Sequence, residues 1–315
     1  MPPLRAQDAV LFVVLAALLV AGWLREQRRA RAGETELSAP VRTLFLLASM
    51  GGGFGALIWF VLMPNTWPWL MPSLATRFLS AAAAAFALGC AIALWRGRWP
   101  EARLFLVVSA GYFAPLLVTL PLHLDRFNFL LPVTWGFLMT GAGMFVLAIW
   151  ELVRTARRPF RTASPPQPAW IRALVALVGV LSLVLGLLML VAPETATLVW
   201  PWVWEVVEGG PIDVDGLTNR LIAVMFLGLA AGAAFTLAEN RRDVGEVFLA
   251  MVVAYALLGA LGVGLFVAHH PTTPSMYLYL AGLVSIALAA LLALQPSDVE
   301  SHPAQLEENG VSPTA

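Results

Sequence analysis

The stretch SLATRFLSAAAAAFALGCAIALWRGRWPEARLFLVVSAGY, residues 73–112, decides the fold, because a variant of it returns at 216–255 as GLTNRLIAVMFLGLAAGAAFTLAENRRDVGEVFLAMVVAY. In each copy a long apolar run rich in Ala and Gly meets a short basic turn and then a second apolar run. These runs extend over 74–95 and 102–122 in the first copy and over 217–237 and 245–268 in the second. A bilayer core of about 30 Å takes about 20 apolar residues at a helical rise of about 1.5 Å. In lipid, only helical hydrogen bonding within the segment satisfies such a backbone. The runs are therefore read as transmembrane helices.

Working outward, five further spans are expected at 8–24, 41–63, 130–153, 170–192 and 274–294, which makes nine in all. The composition agrees. Of 315 residues, 60% are hydrophobic and 12% charged, with mean hydropathy +0.81. An ordinary soluble domain is about half apolar and about a quarter charged. A soluble globule, a disordered chain and a nucleic-acid binder are excluded, which leaves an all-α polytopic membrane protein. The single cysteine, Cys90, lies inside an apolar run, so no internal disulfide and no cysteine metal cluster is available.

All 19 basic residues are Arg, and their placement sets the orientation. Only Arg5 precedes the first span, whereas Arg25, Arg28, Arg29 and Arg31 follow it. A cleaved signal peptide has the opposite polarity. The first span therefore reads as an uncleaved anchor with its N-terminus outside. In that topology fifteen arginines fall on the cytoplasmic side, and Arg5, Arg77, Arg126 and Arg220 fall outside. The location implied is the cell membrane, crossed many times, with a cytoplasmic C-terminus.

The repeat extends beyond its opening. At an offset of 143, Leu74 meets Leu217, Arg77 meets Arg220, Gly89 meets Gly232 and Arg98 meets Arg241. Phe105-Leu106 then meets Phe248-Leu249, and Tyr112 meets Tyr255. Upstream, Trp67-Pro68-Trp69 pairs with Trp200-Pro201-Trp202 at an offset of 133. Each copy crosses four times, an even number, so both copies point the same way and form parallel repeats. The expected organisation starts with an anchor helix and basic loop at 1–40, followed by a first four-helix bundle at 41–153. An Arg/Pro linker at 154–169 leads to a second bundle at 170–294, and an acidic, disordered cytoplasmic tail ends the chain at 295–315. The WPW…LxxR signature resembles that of uncharacterised bacterial polytopic membrane proteins. The helix order of each half is similar to the DoxX-like four-helix membrane modules. Neither resemblance carries over a catalytic residue.

Small residues at Ala85 and Gly89, Gly228 and Gly232, and Gly51 and Gly55 read as sites of close helix approach. Arg77 and Arg220 stand one turn inside the outer ends of matching helices. Two arginines on one side could grip an anionic lipid headgroup or a carboxylate substrate; equally, each could form a structural pair or snorkel to the interface. Trp67, Trp69, Trp200 and Trp202 read as interfacial anchors or as walls bordering a ligand. The outer loop 193–216 carries Glu194, Glu205, Glu208, Asp213 and Asp215, while His123 with Asp125 and Arg126, and His269 with His270, add two small outer clusters. Asp215 and Ser73 are candidate caps for the helices that follow them.

No phosphate-binding loop, HExxH, CxxC or GxSxG motif occurs, so neither a catalytic residue, a metal site nor a cofactor is expected. The leading reading is a non-catalytic membrane protein with a structural or partner-binding role in the bilayer. A carrier, or a lipid- or anion-binding protein using a crevice between the repeats, is the alternative. A third reading is an outer-face enzyme acting on lipid-linked substrates.

Overall fold

The computed structural model describes residues 6–61, 72–127, 129–130, 132–157, 163–196, 206–207, 210–211, 216–268 and 274–295. Ten helices occur among them. The first five are α1 (Ala6–Arg31), α2 (Ala39–Val61), α3 (Ser73–Arg96), α4 (Trp99–Thr119) and α5 (Pro132–Arg154). After these come α6 (Ala169–Val191), the single turn α7 (Pro193–Ala196), α8 (Gly216–Glu239), α9 (Arg242–Val267) and α10 (Pro274–Ala293). A 3-10 segment, Leu120–Arg126, extends α4. Strands β1 (Val206–Val207) and β2 (Gly210–Pro211) pair antiparallel over two residues each. The described residues are otherwise all-α, apart from this short pairing and one isolated bridge between Pro166 and Arg241.

Eight helices are long and apolar enough to cross a membrane, α2 to α6 and α8 to α10. The expected first span falls on α1, where the side chains of residues 6–16 lie outside the described set. The helix also continues past the apolar run to Arg31. Glu26, Gln27, Arg28, Arg29 and Ala30 are good helix formers, and nothing breaks the helix before Gly33, whose φ is +73°.

Helix neighbours do not follow chain order. The α3–α4 and α8–α9 hairpins make little contact between their own arms; α3 packs on α9, and α8 packs on α4. The outer helices then add in matching fashion, with α2 on α3, α6 on α8, α5 on α4 and α10 on α9. Exchanging the two sets of four helices leaves this packing pattern unchanged. A single hydrophobic core includes residues from both sets.

Glycines make this interlocking possible. A methyl group at Gly89 would overlap the Phe105 ring and lie 2.9 Å from Met251 Cγ. At Gly232 it would lie 3.2 Å from Phe248 Cε2 and 2.7 Å from Val108 Cγ2. Every partner in the second set stands 143 positions from its counterpart in the first, in either direction. Of the other glycines, Gly52 faces the Ala83 carbonyl and the Ala87 methyl at 3.3 Å, whereas Gly51 meets nothing within 4 Å.

The hairpin turns match as well. Gly97 closes α3 at φ +67°, and Asn240, 143 residues later, follows α8 at φ +48°. Left-handed backbone at the C′ position is a common helix stop, usually Gly and sometimes Asn. Arg98 and Arg241 then adopt extended backbone and start the next helix. At the start of α3 the expectation differs from the structure. Pro72 occupies the N-cap with no side-chain capping bond, and Ser73 is already helical.

Contacts between helix ends define two faces. At the Arg-rich face, Arg29 at the end of α1 donates to the Leu94 and Trp95 carbonyls, 2.8 and 2.9 Å away at the end of α3. Ser38 before α2 donates to Glu151 at the end of α5 at 3.0 Å. The connection before α6 is not a detached spacer. The Arg242 N–H donates to the Pro165 carbonyl at 3.0 Å, and Gln167 Nε2 donates to the Arg241 carbonyl at 2.9 Å. The segment before α2 lies over the other hairpin turn in the same way. The Glu36 N–H donates to the Gly97 carbonyl at 2.8 Å, and the Trp99 N–H donates to the Glu36 carboxylate at 3.2 Å.

Candidate functional site

At the distal face, Arg77 and Arg220 are both half-buried one turn into α3 and α8. The aliphatic stem of Arg77 crosses Gly262 of α9, where an added methyl would lie 3.1 Å from Arg77 Cβ. Its Nη1 donates to the Gly262 carbonyl at 3.4 Å. Arg220 turns to other elements. Its Nε donates to the Leu190 carbonyl at the end of α6 at 3.3 Å, and its Nη1 lies 2.6 Å from His123 Nε2. A guanidinium only donates, so the ring nitrogen accepts, which makes His123 neutral with its proton on Nδ1. His123 can present that nitrogen because its backbone (φ −135°, ψ 24°) departs from helix inside the 3-10 segment. Next to Arg220, the fully buried Asn219 donates to the Pro193 carbonyl at 3.0 Å.

Of these bonds, the one from Arg220 to Leu190 caps a helix end, since Leu190 is next to last in α6, whereas Gly262 lies inside α9. The last carbonyls of a helix lack partners within it, and a cation there also meets the negative end of the helix dipole. The matching arginines thus bond to different elements, Arg77 to α9 and Arg220 to the end of α6 and the extension of α4. Trp67, Trp69, Trp200 and Trp202 lie outside the described residues, as do Glu205, Glu208, Asp213, Asp215, His269 and His270. Glu194 is exposed in α7. Among the described residues, no group of three or more His, Cys, Asp or Glu could hold a metal ion.

The richest charged constellation lies at the opposite, Arg-rich face. Arg96, the last residue of α3, places Nη2 2.9 Å from Glu246 and Nη1 3.7 Å from Glu101. Arg242 Nε is 3.4 Å from the other oxygen of Glu246. Beside them, Arg241 and Asp243 form a close pair at 2.7 Å. Glu101 is 0% exposed, and among the described residues neither carboxylate oxygen finds a hydrogen-bond partner. A cavity of about 320 Å³ opens here, lined by Ile92, Arg96, Arg242, Glu246, Val247, Ala250 and Leu294. In the sequence, Arg96, Arg241 and Arg242 served to set the orientation and Arg241 also to align the repeat, while Glu101, Asp243 and Glu246 were not singled out. The available signal was that both inner turns carry carboxylates as well as arginines, Glu101 after the first and Asp243 and Glu246 after the second.

At the same face Glu151 is 1% exposed and pairs with Arg154 at 2.6 Å. Trp95, Trp150 and Trp170 are 68%, 63% and 53% exposed at the ends of α3 and α5 and the start of α6. Exposed Trp at one level of a helical bundle marks a membrane interface. No protein-family model, curated protein or solved structure matches the chain.

Proposed function

We propose that this integral membrane protein has a non-catalytic role, as a structural or partner-binding component of the membrane, built from an internally duplicated four-helix unit. The single observation that carries this reading is the filled seam between the units. Gly89 against Met251, and Gly232 against Val108, bring the two sets of helices into direct contact. A carrier needs a crevice there, and the two outer arginines that would guard its mouth bond to backbone carbonyls of neighbouring helices instead. The duplication is supported by the exchange symmetry of the packing and by the matched left-handed residues Gly97 and Asn240. The proposed orientation keeps the Arg-rich face cytoplasmic, in line with the arginine bias.

Purification of the full chain in mild detergent, with identification of co-purifying membrane proteins, tests the role. A stable partner at fixed stoichiometry is expected, and a pure monomer with no partner overturns the proposal. Labelling of single cysteines placed near residues 65, 160 and 210 tests the orientation. Position 160 is expected to react only from the cytoplasmic side, and 65 and 210 only from outside.

A further inference from the structure

We propose that the exposed side of α1 beyond its apolar run, carrying Arg25, Arg28 and Arg31, docks on the phosphate headgroups of anionic phospholipids in the adjoining leaflet. The inference is independent of the structural role above. The level of this surface follows from what holds α1 in place. The helix lies along α2, where a methyl added at Gly22 would lie 2.8 Å from Leu46 Cδ1. Below that contact, Arg42 in the first turn of α2 donates to the Glu26 carbonyl at 2.7 Å. Arg29 donates to the Leu94 and Trp95 carbonyls that end α3, at 2.8 and 2.9 Å. The stretch from Arg25 to Arg31 therefore stands level with the ends of two membrane-crossing helices.

The outward side of α1 changes character at this level. Leu18, Val20, Trp23 and Leu24 are each about half exposed, and on a helix lying beside α2 that exposure is to acyl chains. Arg25, Arg28 and Arg31 follow at once and are all exposed. Spaced three residues apart, they fall along one side of the helix. Trp95, 68% exposed, marks the membrane interface at the same height. A surface that passes without a break from apolar to cationic fits an amphiphile with an acyl region and an anionic head, which is a phospholipid.

The carboxylates nearby are engaged by other groups. Glu26 and Glu34 both approach Arg29, at 3.3 and 3.6 Å, and the Glu36 carboxylate accepts from the Trp99 N–H at 3.2 Å. Glu101 pairs with Arg96 and Glu151 with Arg154. Among the described residues no ion pair reaches Arg25, Arg28 or Arg31, whereas Arg29, Arg96, Arg154, Arg241 and Arg242 each pair with a carboxylate. Arginine suits the task because its planar fork makes paired bonds to phosphate oxygens.

The test places a fluorescent dye on Ala32→Cys, an exposed position next to Arg31; the buried Cys90 is shielded from the reagent. The labelled full-length protein is reconstituted in phosphatidylcholine vesicles doped with phosphatidylglycerol or phosphatidylcholine that carries a spin label near its glycerol. Phosphatidylglycerol is expected to quench the dye more strongly. Arg28→Gln alone should weaken that preference by about fivefold, the share of one arginine near an anionic surface. Arg25→Gln, Arg28→Gln and Arg31→Gln together should abolish it. Arg25→Lys, Arg28→Lys and Arg31→Lys together keep the charge and should retain most of it, which separates lost charge from lost folding. Arg172→Gln, at an exposed arginine of α6, should leave it unchanged. Raising the salt from about 0.1 to about 1 M shortens the screening length from about 10 to about 3 Å and should also remove most of the preference. Equal quenching by the two lipids, equal loss in Arg28→Gln and Arg172→Gln, or as complete a loss with Lys as with Gln overturns the proposal. A preference that emerges only after Asp298→Asn, Glu300→Gln, Glu307→Gln and Glu308→Gln overturns it in favour of the chain's own acidic tail as the occupant.

Discussion

The seams α3–α9 and α4–α8 are built from corresponding helices, yet they close differently. In α4–α8, Gly111 and Gly228 allow near-backbone contact. A methyl at Gly111 would lie 2.6 Å from Ala231 Cβ and 3.4 Å from Gly228 Cα. The counterparts 143 positions away, Ala254 and Ala85, both carry methyl groups, and in α3–α9 the close glycines are instead Gly259 and Gly262, where an added methyl would lie 3.3 Å from Phe78 Cε1 and 3.1 Å from Arg77 Cβ. The positions shared by both seams are Gly89 and Gly232, each against a Phe of its own unit and a Met or Val of the other. The same helix pairing is therefore closed by partly different glycines in the two seams.

The strongest way to break the comparison is to fill the shared positions. Gly89→Leu and Gly232→Leu should each cost about 3 kcal/mol or more, because Phe105 or Phe248 has no vacant space to enter. Loss of the monodisperse peak in fluorescence-detected size exclusion would report it. Similar damage at the two sites supports their equivalence, and a tolerated change at either site argues against it. The next test separates the seams. Gly111→Ala should destabilise by about 1–3 kcal/mol through crowding against Ala231 and the Leu227 carbonyl. Ala254→Gly in the other seam should cost only about 1 kcal/mol of helix propensity. Thermal unfolding in detergent measures both, and equal shifts would show that the difference in closeness has no energetic consequence.

A third experiment addresses the distal arginines. Arg220→Gln removes the bonds to Leu190 and His123 and should cost about 1–3 kcal/mol, read as a lower unfolding midpoint. An unchanged midpoint would remove its capping role. The smallest effect is expected at the hairpin turns. Gly97→Ala should cost about 1–2 kcal/mol for left-handed backbone, made worse by Thr35 Oγ1 and Arg29 Nη2 at 3.0 and 3.2 Å. Asn240→Gly should be neutral or slightly stabilising, because φ +48° suits glycine at least as well. Destabilisation by Asn240→Gly would mean that the asparagine side chain, and not its backbone freedom, holds that turn.

Much of the fold was legible because membrane helices are specified by length and apolarity, both of which are properties of a contiguous run. The four runs that open the argument, 74–95, 102–122, 217–237 and 245–268, all lie on helices that the structure contains. The site was less legible. Glu101 and Glu246 stand in the opening turns of α4 and α9, at a helix end where a charge ordinarily faces water, and nothing local distinguishes them from solvated residues. Their role depends on Arg96 arriving from α3 and on α9 packing against α3 rather than α8. Arg77 and Arg220 were visible as exceptional charges. Their partners were not, since Gly262, Leu190 and His123 lie on other elements far away in sequence.

The chain's own order of residues determined that it is helical and membrane-spanning, where the spans lie, and where small residues permit close approach. Those outcomes follow from the cost of unsatisfied backbone in lipid and from side-chain size, which act locally. Only the tertiary structure decided that the hairpins exchange partners, and hence which glycine receives which side chain and which arginine caps which helix. Between lipid-solvated helices, apolar surface gains little by choosing one neighbour over another. The choice falls to fit between distant surfaces and to a few hydrogen bonds at their ends, and neither exists until the helices meet.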